Sequence, residues 1–225
     1  MKSKGIMALV LIGTVSFGGV KAFAQMSENT VTKNTVMTEK VVIQASKKEN
    51  NEDILKEVVL NAFEKYFNEK IDVKNLKENI QVIKADVEWN SRRKVYSEIS
   101  WTNSNKSYYA LVENDGQIID MGIIFNTQKG SQKVTLIELE EAKKIAVDFI
   151  KQKKLVEDVE TLGFLGEATI SPETCGIVYK YGKGKGILVS VDSSTKKVQQ
   201  FSYKTESDAQ KCVENTGYRE NGILG

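Results

Sequence analysis

Few side chains in this sequence can do chemistry, and their spacing limits what they do. The chain has 225 residues and no histidine. That removes Ser-His-Asp and Cys-His catalysis, and histidine metal sites with them. Acid–base work would then fall to paired carboxylates or a lysine. The adjacent acids Glu140 and Glu141 point about 100° apart on a helix and do not converge on one substrate. Asp115, Asp120 and Asp192 lack the spacing of a calcium loop. The run Gly182-Lys183-Gly184-Lys185-Gly186 lacks the G-x-x-x-x-G-K-[ST] order of a phosphate loop. It reads as a flexible hairpin loop, and Lys183 and Lys185 are candidates for touching a partner. Trp89, Trp101, Tyr108 and Tyr109 cluster in the first half. Such aromatics build a core or, if exposed, a platform for peptide or sugar, so Trp89, Trp101 and Tyr108 are carried as candidate binding residues. The expectation is a protein without catalytic residues, metal or cofactor.

The address is written at the amino terminus. Lys2 and Lys4 precede an apolar run over 6–20, and Ala22-Phe23-Ala24 stands before Gln25. This is the three-part form of a secretory signal with an A-x-A cleavage site. The apolar run is shorter than the roughly 20 residues of a membrane-spanning helix. The reading is cleavage after Ala24 and secretion, with association to the cell wall open. Removing 1–24 takes Lys2, Lys4 and Lys21 and no acid, which leaves 29 basic and 30 acidic residues. The slight basicity of the whole chain therefore belongs to the signal and does not point to nucleic acid. In an oxidising compartment, an isolated pair such as Cys175 and Cys212 is expected to form one disulfide. Closing a loop with 36 residues between them would contribute about 4 kcal/mol.

The elements that position these residues follow from periodicity. Residues 25–51 are polar with no aromatic and read as a disordered spacer, with Val41-Val42-Ile43 as a short edge strand at most. A first helix spans 52–69, with Leu55, Val59, Phe63 and Phe67 on one face. Strands follow at 80–89, 94–102, 107–113 and 117–125, the last two joined by the hairpin turn Asn114-Asp115-Gly116-Gln117. A linker covers 128–133. The central helix spans 134–155. Thr135 and Glu138 spell a capping box, and Leu139, Ala142, Ile145, Ala146 and Phe149 form its apolar stripe. Strands are expected at 162–170, 175–181, 186–192 and 197–203, then a short helix at 206–214 pinned back by Cys212. The order is helix then strands, twice, with the segments from Tyr96 and from Gly176 following one plan. That gives an α+β class with two tandem helix-plus-antiparallel-sheet units, 52–127 and 134–225.

Glu141, Ala142, Ile145, Ala146 and Phe149, followed by Val189, Val191, Asp192, Thr195 and Val198, resemble a PepSY-type domain. Its pattern is a helix E-A-x-x-I-A-x-x-F, then strands ending in V-x-V-D-x-x-T-G-x-V. The resemblance covers 134–203, and 52–125 by analogy. Lys196 or Lys197 departs from the pattern at its hairpin glycine. The resemblance implies a PepSY/cystatin-like fold in a secreted or cell-envelope protein, with no catalytic residues. It also implies a role in binding and restraining an extracellular peptidase or wall hydrolase. A cell-wall or glycan-binding module that uses the aromatic cluster is the alternative.

Overall fold

The computed structural model describes residues 50–84, 94–125, 135–169 and 173–214. The signal segment with Ala22, Ala24 and Gln25, the spacer as far as residue 49, the linker 128–133, Trp89 and the last eleven residues lie outside the described residues.

Each half of the chain supplies a helix, a 3₁₀ turn and four strands. The first half contains α1 (Asn50–Phe67), β1 (Lys77–Ile83), β2 (Tyr96–Thr102), β3 (Lys106–Glu113) and β4 (Ile118–Phe125). The second contains α2 (Leu139–Lys153), β5 (Gly163–Glu167), β6 (Thr174–Tyr181), β7 (Lys185–Asp192) and β8 (Val198–Thr205), then α3 (Glu206–Glu214). All eight strands form one antiparallel sheet in the order β1-β2-β3-β4-β8-β7-β6-β5. The last strands of the two halves meet in the middle, where Asp120, Met121 and Gly122 face Ser202, Phe201 and Gln200.

The two tandem helix-plus-sheet segments of the expectation are joined in a single sheet. The halves share one sheet and also one core, because strand alternation sends every second side chain to the same face. Ile99, Trp101, Tyr108, Ala110 and Met121 from the first half join Ile177, Val189, Phe201 and Tyr203 from the second, under Phe63 of α1 and Ala146 of α2. Aromatic rings close the joint. Phe201 lies 6.1 Å from Phe67 and 5.1 Å from Tyr66 by ring centroid, and Phe67 is 6.0 Å from Phe149. Lys153 of α2 reaches across to donate to the carbonyl of Lys65 at 2.7 Å, satisfying an open carbonyl at the end of α1. Desolvation pulls its ammonium below the usual lysine value.

The central helix starts later than its capping box predicts. Glu138 is the N-cap, in extended conformation and without a side-chain cap bond, and the first helical bond runs from Ala142 N–H to the Glu138 carbonyl. Residues 135–138 form no helix or strand, and Ile137 is buried in the core. Burial of that side chain outweighs the cap, which is worth about 1 kcal/mol.

The third helix and the cysteines correct the disulfide. Cys175 sits with Ile177 and Tyr179 in the core under α2. Gly186, one position from the core residue Ile187 on β7 and so turned to the other face, backs against Ala209 of α3: a Cβ added at Gly186 would meet the Ala209 Cβ at 2.5 Å. α3, with Cys212, therefore covers the opposite face of the sheet. The two cysteines are not bridged. The Cys175 thiol instead donates to Glu167 at 3.5 Å. Among the described residues no helix is long and apolar enough to cross a membrane.

Candidate functional site

The sheet has a helical face, covered by α1 and α2, and a far face, covered by α3 at the β5–β8 end. Three features stand out on this frame, and the predicted residues are distributed unevenly among them.

The first is the β6–β7 hairpin. Its register runs through eight pairs from Thr174–Asp192 to Tyr181–Lys185. The turn is Gly182-Lys183-Gly184, with both glycines at positive φ (54° and 69°), a region open to glycine without steric cost. A Cβ on either glycine would meet nothing within 4 Å, and residues 182–185 are all exposed. Its base is held: the N–H of Glu206, the first residue of α3, donates to the Gly184 carbonyl at 3.0 Å. Lys183 and Lys185 are exposed. The expected flexible loop is a tethered one.

The second is the outer edge of β1. Lys77 to Ile83 pair with Thr102 to Tyr96 in seven uninterrupted steps, and among the described residues β1 pairs with no other strand. Its Val82 is 58% exposed. The opposite edge, β5, is shorter and carries a register shift between Phe164 and Gly166.

The third is a polar cluster on the far face at the β4–β8 joint. Tyr109 Oη and Gln200 Nε2 both donate to Asp120 Oδ1, at 3.3 and 3.2 Å, and Ser190 Oγ donates to Gln200 Oε1 at 3.2 Å. Burial pushes the Asp120 carboxyl up, against hydrogen bonds from Ser202, Gln200 and Tyr109 and the nearby Lys204 charge. The Tyr109 hydroxyl is raised by desolvation and then by the charge of Asp120. These groups satisfy one another across four strands, β3, β4, β8 and β7, so the cluster staples the joint of the two halves.

The aromatic candidates are placed otherwise than a platform requires. Trp101 is 0% exposed and Tyr108 is 6% exposed; both lie in the core. They face each other across β2 and β3, and each directs its polar tip to a carboxylate. Trp101 Nε1 donates to Glu78 Oε2 at 2.9 Å, and Lys56 pairs with the other oxygen of Glu78 at 2.8 Å. Tyr108 Oη donates to Glu69 Oε1 at 2.9 Å, and Lys106 meets the same oxygen at 2.7 Å. The Lys106 and Lys56 hydrogen bonds, foremost, hold the Glu69 and Glu78 carboxyls below the usual range. Neither aromatic can stack on a ligand without unfolding this region.

Glu140 and Glu141 also diverge: Glu140 takes Lys143 one turn along at 2.9 Å, while Glu141 takes Lys196 of the β7–β8 turn at 2.7 Å. Lys196 occupies the left-handed region at φ 55°, the place of the hairpin glycine. Asp192 holds that turn by accepting from Thr195 Oγ1 at 2.7 Å and from Ser194 N–H at 3.1 Å. Among the described residues no group of three or more His, Cys, Asp or Glu is placed to hold a metal.

Reading by helix and strand period passes over one repeated signal. Asp72-Val73-x-x-Leu76 and Asp158-Val159-x-x-Leu162 each build the 3₁₀ turn between a helix and its first strand. Asp72 and Asp158 accept from the N–H two residues on, at 3.2 and 3.0 Å. Each follows a helix C-cap in left-handed conformation, Asn68 at φ 55° and Lys154 at φ 53°.

No known family pattern matches the chain, and no curated protein matches it. Among solved structures, the Bacillus megaterium YpeB C-terminal domain is similar at 15% identity with a TM-score of 0.43, over 77% of this chain and 68% of that one.

Proposed function

We propose that the protein is a secreted, non-catalytic binding protein that engages an extracellular peptidase or wall hydrolase and modulates it by occlusion. The observation that carries this reading is the open edge of β1, seven residues in regular register with β2 and unpaired on its other side among the described residues. Such an edge offers a row of backbone donors and acceptors to an extended segment of a partner, which gains main-chain hydrogen bonds as an added strand. β1 is anchored for this: Glu78 is fixed by Trp101 and Lys56 on the helical face, and Ile83 packs with Tyr96 and Ile119 on the far face. The amino-terminal signal pattern and the PepSY resemblance of 134–203 support a site of action outside the cell and a partner that is a hydrolase.

The test immobilises the chain beginning at Gln25, beside a Val82→Lys variant, and exposes both to the host's secreted and wall-extracted proteins. A charge at an exposed edge position blocks strand addition and leaves the fold in place. The expected result is one peptidase or hydrolase retained by the native chain and lost from the variant, with its activity lowered by added native chain. Equal retention by both would remove β1 as the docking edge. No retained hydrolase, or substrate turnover by the purified chain itself, would overturn the reading.

A further inference from the structure

We propose that the β1 edge pairs with the β1 edge of a second copy of the chain, antiparallel about a twofold axis at Gln81, in a dimer that covers the edge when no other partner holds it. The argument rests on the order of side chains along one face of the strand. Glu78 stands opposite Trp101 of β2, Ile80 opposite Ile99 and Val82 opposite Ser97, so these three share the helical face. Lys84, the residue after the strand, continues their row by alternation. The row therefore reads acid, apolar, apolar, base. Glu78 and Lys84 are exposed, Ile80 is half-buried and Val82 is 58% exposed. Trp101 Nε1 at 2.9 Å and Lys56 at 2.8 Å already fix the Glu78 carboxylate, which loses little freedom when a second lysine arrives.

Such a row is its own complement. Turned about an axis at Gln81, Glu78 faces the second copy's Lys84 and Ile80 faces its Val82, and the same pairs recur at the other end. Opposite charges and apolar pairs directly across antiparallel strands are both stabilising. A slip of two residues sets Lys84 against Ile80 or Glu78 against Val82, and in-register parallel pairing sets like charges together. A slip of one residue turns the faces over. The order of side chains thus selects both the partner and the register. The opposite edge offers no such seam, because β5 has five residues and a register shift between Phe164 and Gly166. Association by an isologous contact therefore closes at two copies. A seam one strand long falls below the about 1,200 Å² of a standard stable interface, so the dimer dissociates on dilution. Self-pairing and hydrolase docking then compete for one edge; that consequence rests on the β1 reading, and the dimer itself does not.

The experiment is sedimentation of the chain from Gln25 onward over a range of concentrations, with no partner present. The expected result is a reversible equilibrium of monomer and dimer without larger species. Lys84→Glu, which sets an acid against Glu78 from an exposed position outside the strand, should weaken self-association about tenfold with an unchanged circular dichroism spectrum. Val82→Lys should do the same. Disulfide trapping in a Cys212→Ser background reads the register. Gln81→Cys meets its own copy at the axis and should give a covalent dimer, whereas Asn79→Cys, about 13 Å from its copy, should not. A monomer at every concentration, undiminished self-association in Lys84→Glu, or trapping at Asn79 in place of Gln81 would overturn the proposal. A hydrolase captured by a chain that stays monomeric would sink the dimer and leave β1 docking standing. A trapped Gln81→Cys dimer from a chain that retains no hydrolase would do the reverse.

Discussion

Adding a methyl group at Gly186 tests the placement of α3 on the far face. Alanine in a strand interior is ordinarily better than glycine by about 0.5–1 kcal/mol, because glycine loses more freedom on folding. The sign should reverse here. The new Cβ would lie 2.5 Å from the Cβ of Ala209, against an optimum of about 3.5–4.0 Å between carbons. The Thr205 and Tyr179 carbonyls stand at 3.3 and 3.5 Å and need give little, so relief must come from α3, pushed outward by about 1 Å or more. Overpacking of this kind costs about 1–3 kcal/mol. Ala209→Gly removes the opposing methyl but costs about 1 kcal/mol as a glycine inside a helix. In the double variant the methyl has changed sides and the clash is gone. The two single losses should therefore exceed the double loss by about 1–2 kcal/mol, measured by urea unfolding in a double-mutant cycle. Additivity within about 0.5 kcal/mol, or a stabilising Gly186→Ala, would refute the contact and with it the argument that separates Cys212 from Cys175.

The cysteines give a direct check. Thiol labelling should modify Cys212 in the native protein and Cys175 only after unfolding, and loss of both thiols in oxidised native protein would restore the disulfide. Phe201→Ala should cost about 3–5 kcal/mol, because Phe201 joins rings from both halves, and unfolding should stay a single transition; two resolved transitions would show independent units. The pH dependence has two opposing parts. Glu69 and Glu78, held low in the fold, contribute stability above the ordinary carboxylate range that is lost as pH falls through their lowered values. Asp120, held high by burial, contributes most at low pH and loses that contribution as pH rises through its raised value. Glu69→Gln with Glu78→Gln should flatten the acid limb of a urea-midpoint profile, and Asp120→Asn should raise the midpoint at neutral pH more than at acid pH. An unchanged profile in both would remove these assignments.

The order and type of elements were legible because they depend on local period. β2 shows it: Ser97, Ile99 and Trp101 turn to the helical face and Glu98 and Ser100 away, as alternation requires. The turns at Asp115-Gly116 and Gly182–Gly184 were legible for the same local reason. The repeated Asp-Val-x-x-Leu turns were legible too, but only to a comparison of the halves with each other.

The tertiary structure decided what lies far apart along the chain. Sequence spacing permits a Cys175–Cys212 bridge, but the face on which α3 lands follows from Gly186 and Ala209, not from the cysteines. The Thr135–Glu138 capping box is locally sound, yet burying Ile137 shifts the helix start beyond it. Trp101 and Tyr108 are equally compatible with a surface or a core, and the partners that settle them, Glu78 and Glu69, come from other elements. The two halves became one body because β4 and β8 pair at the centre and Phe201 fills the shared core. That pairing links strands some 80 residues apart, and no local pattern encodes it.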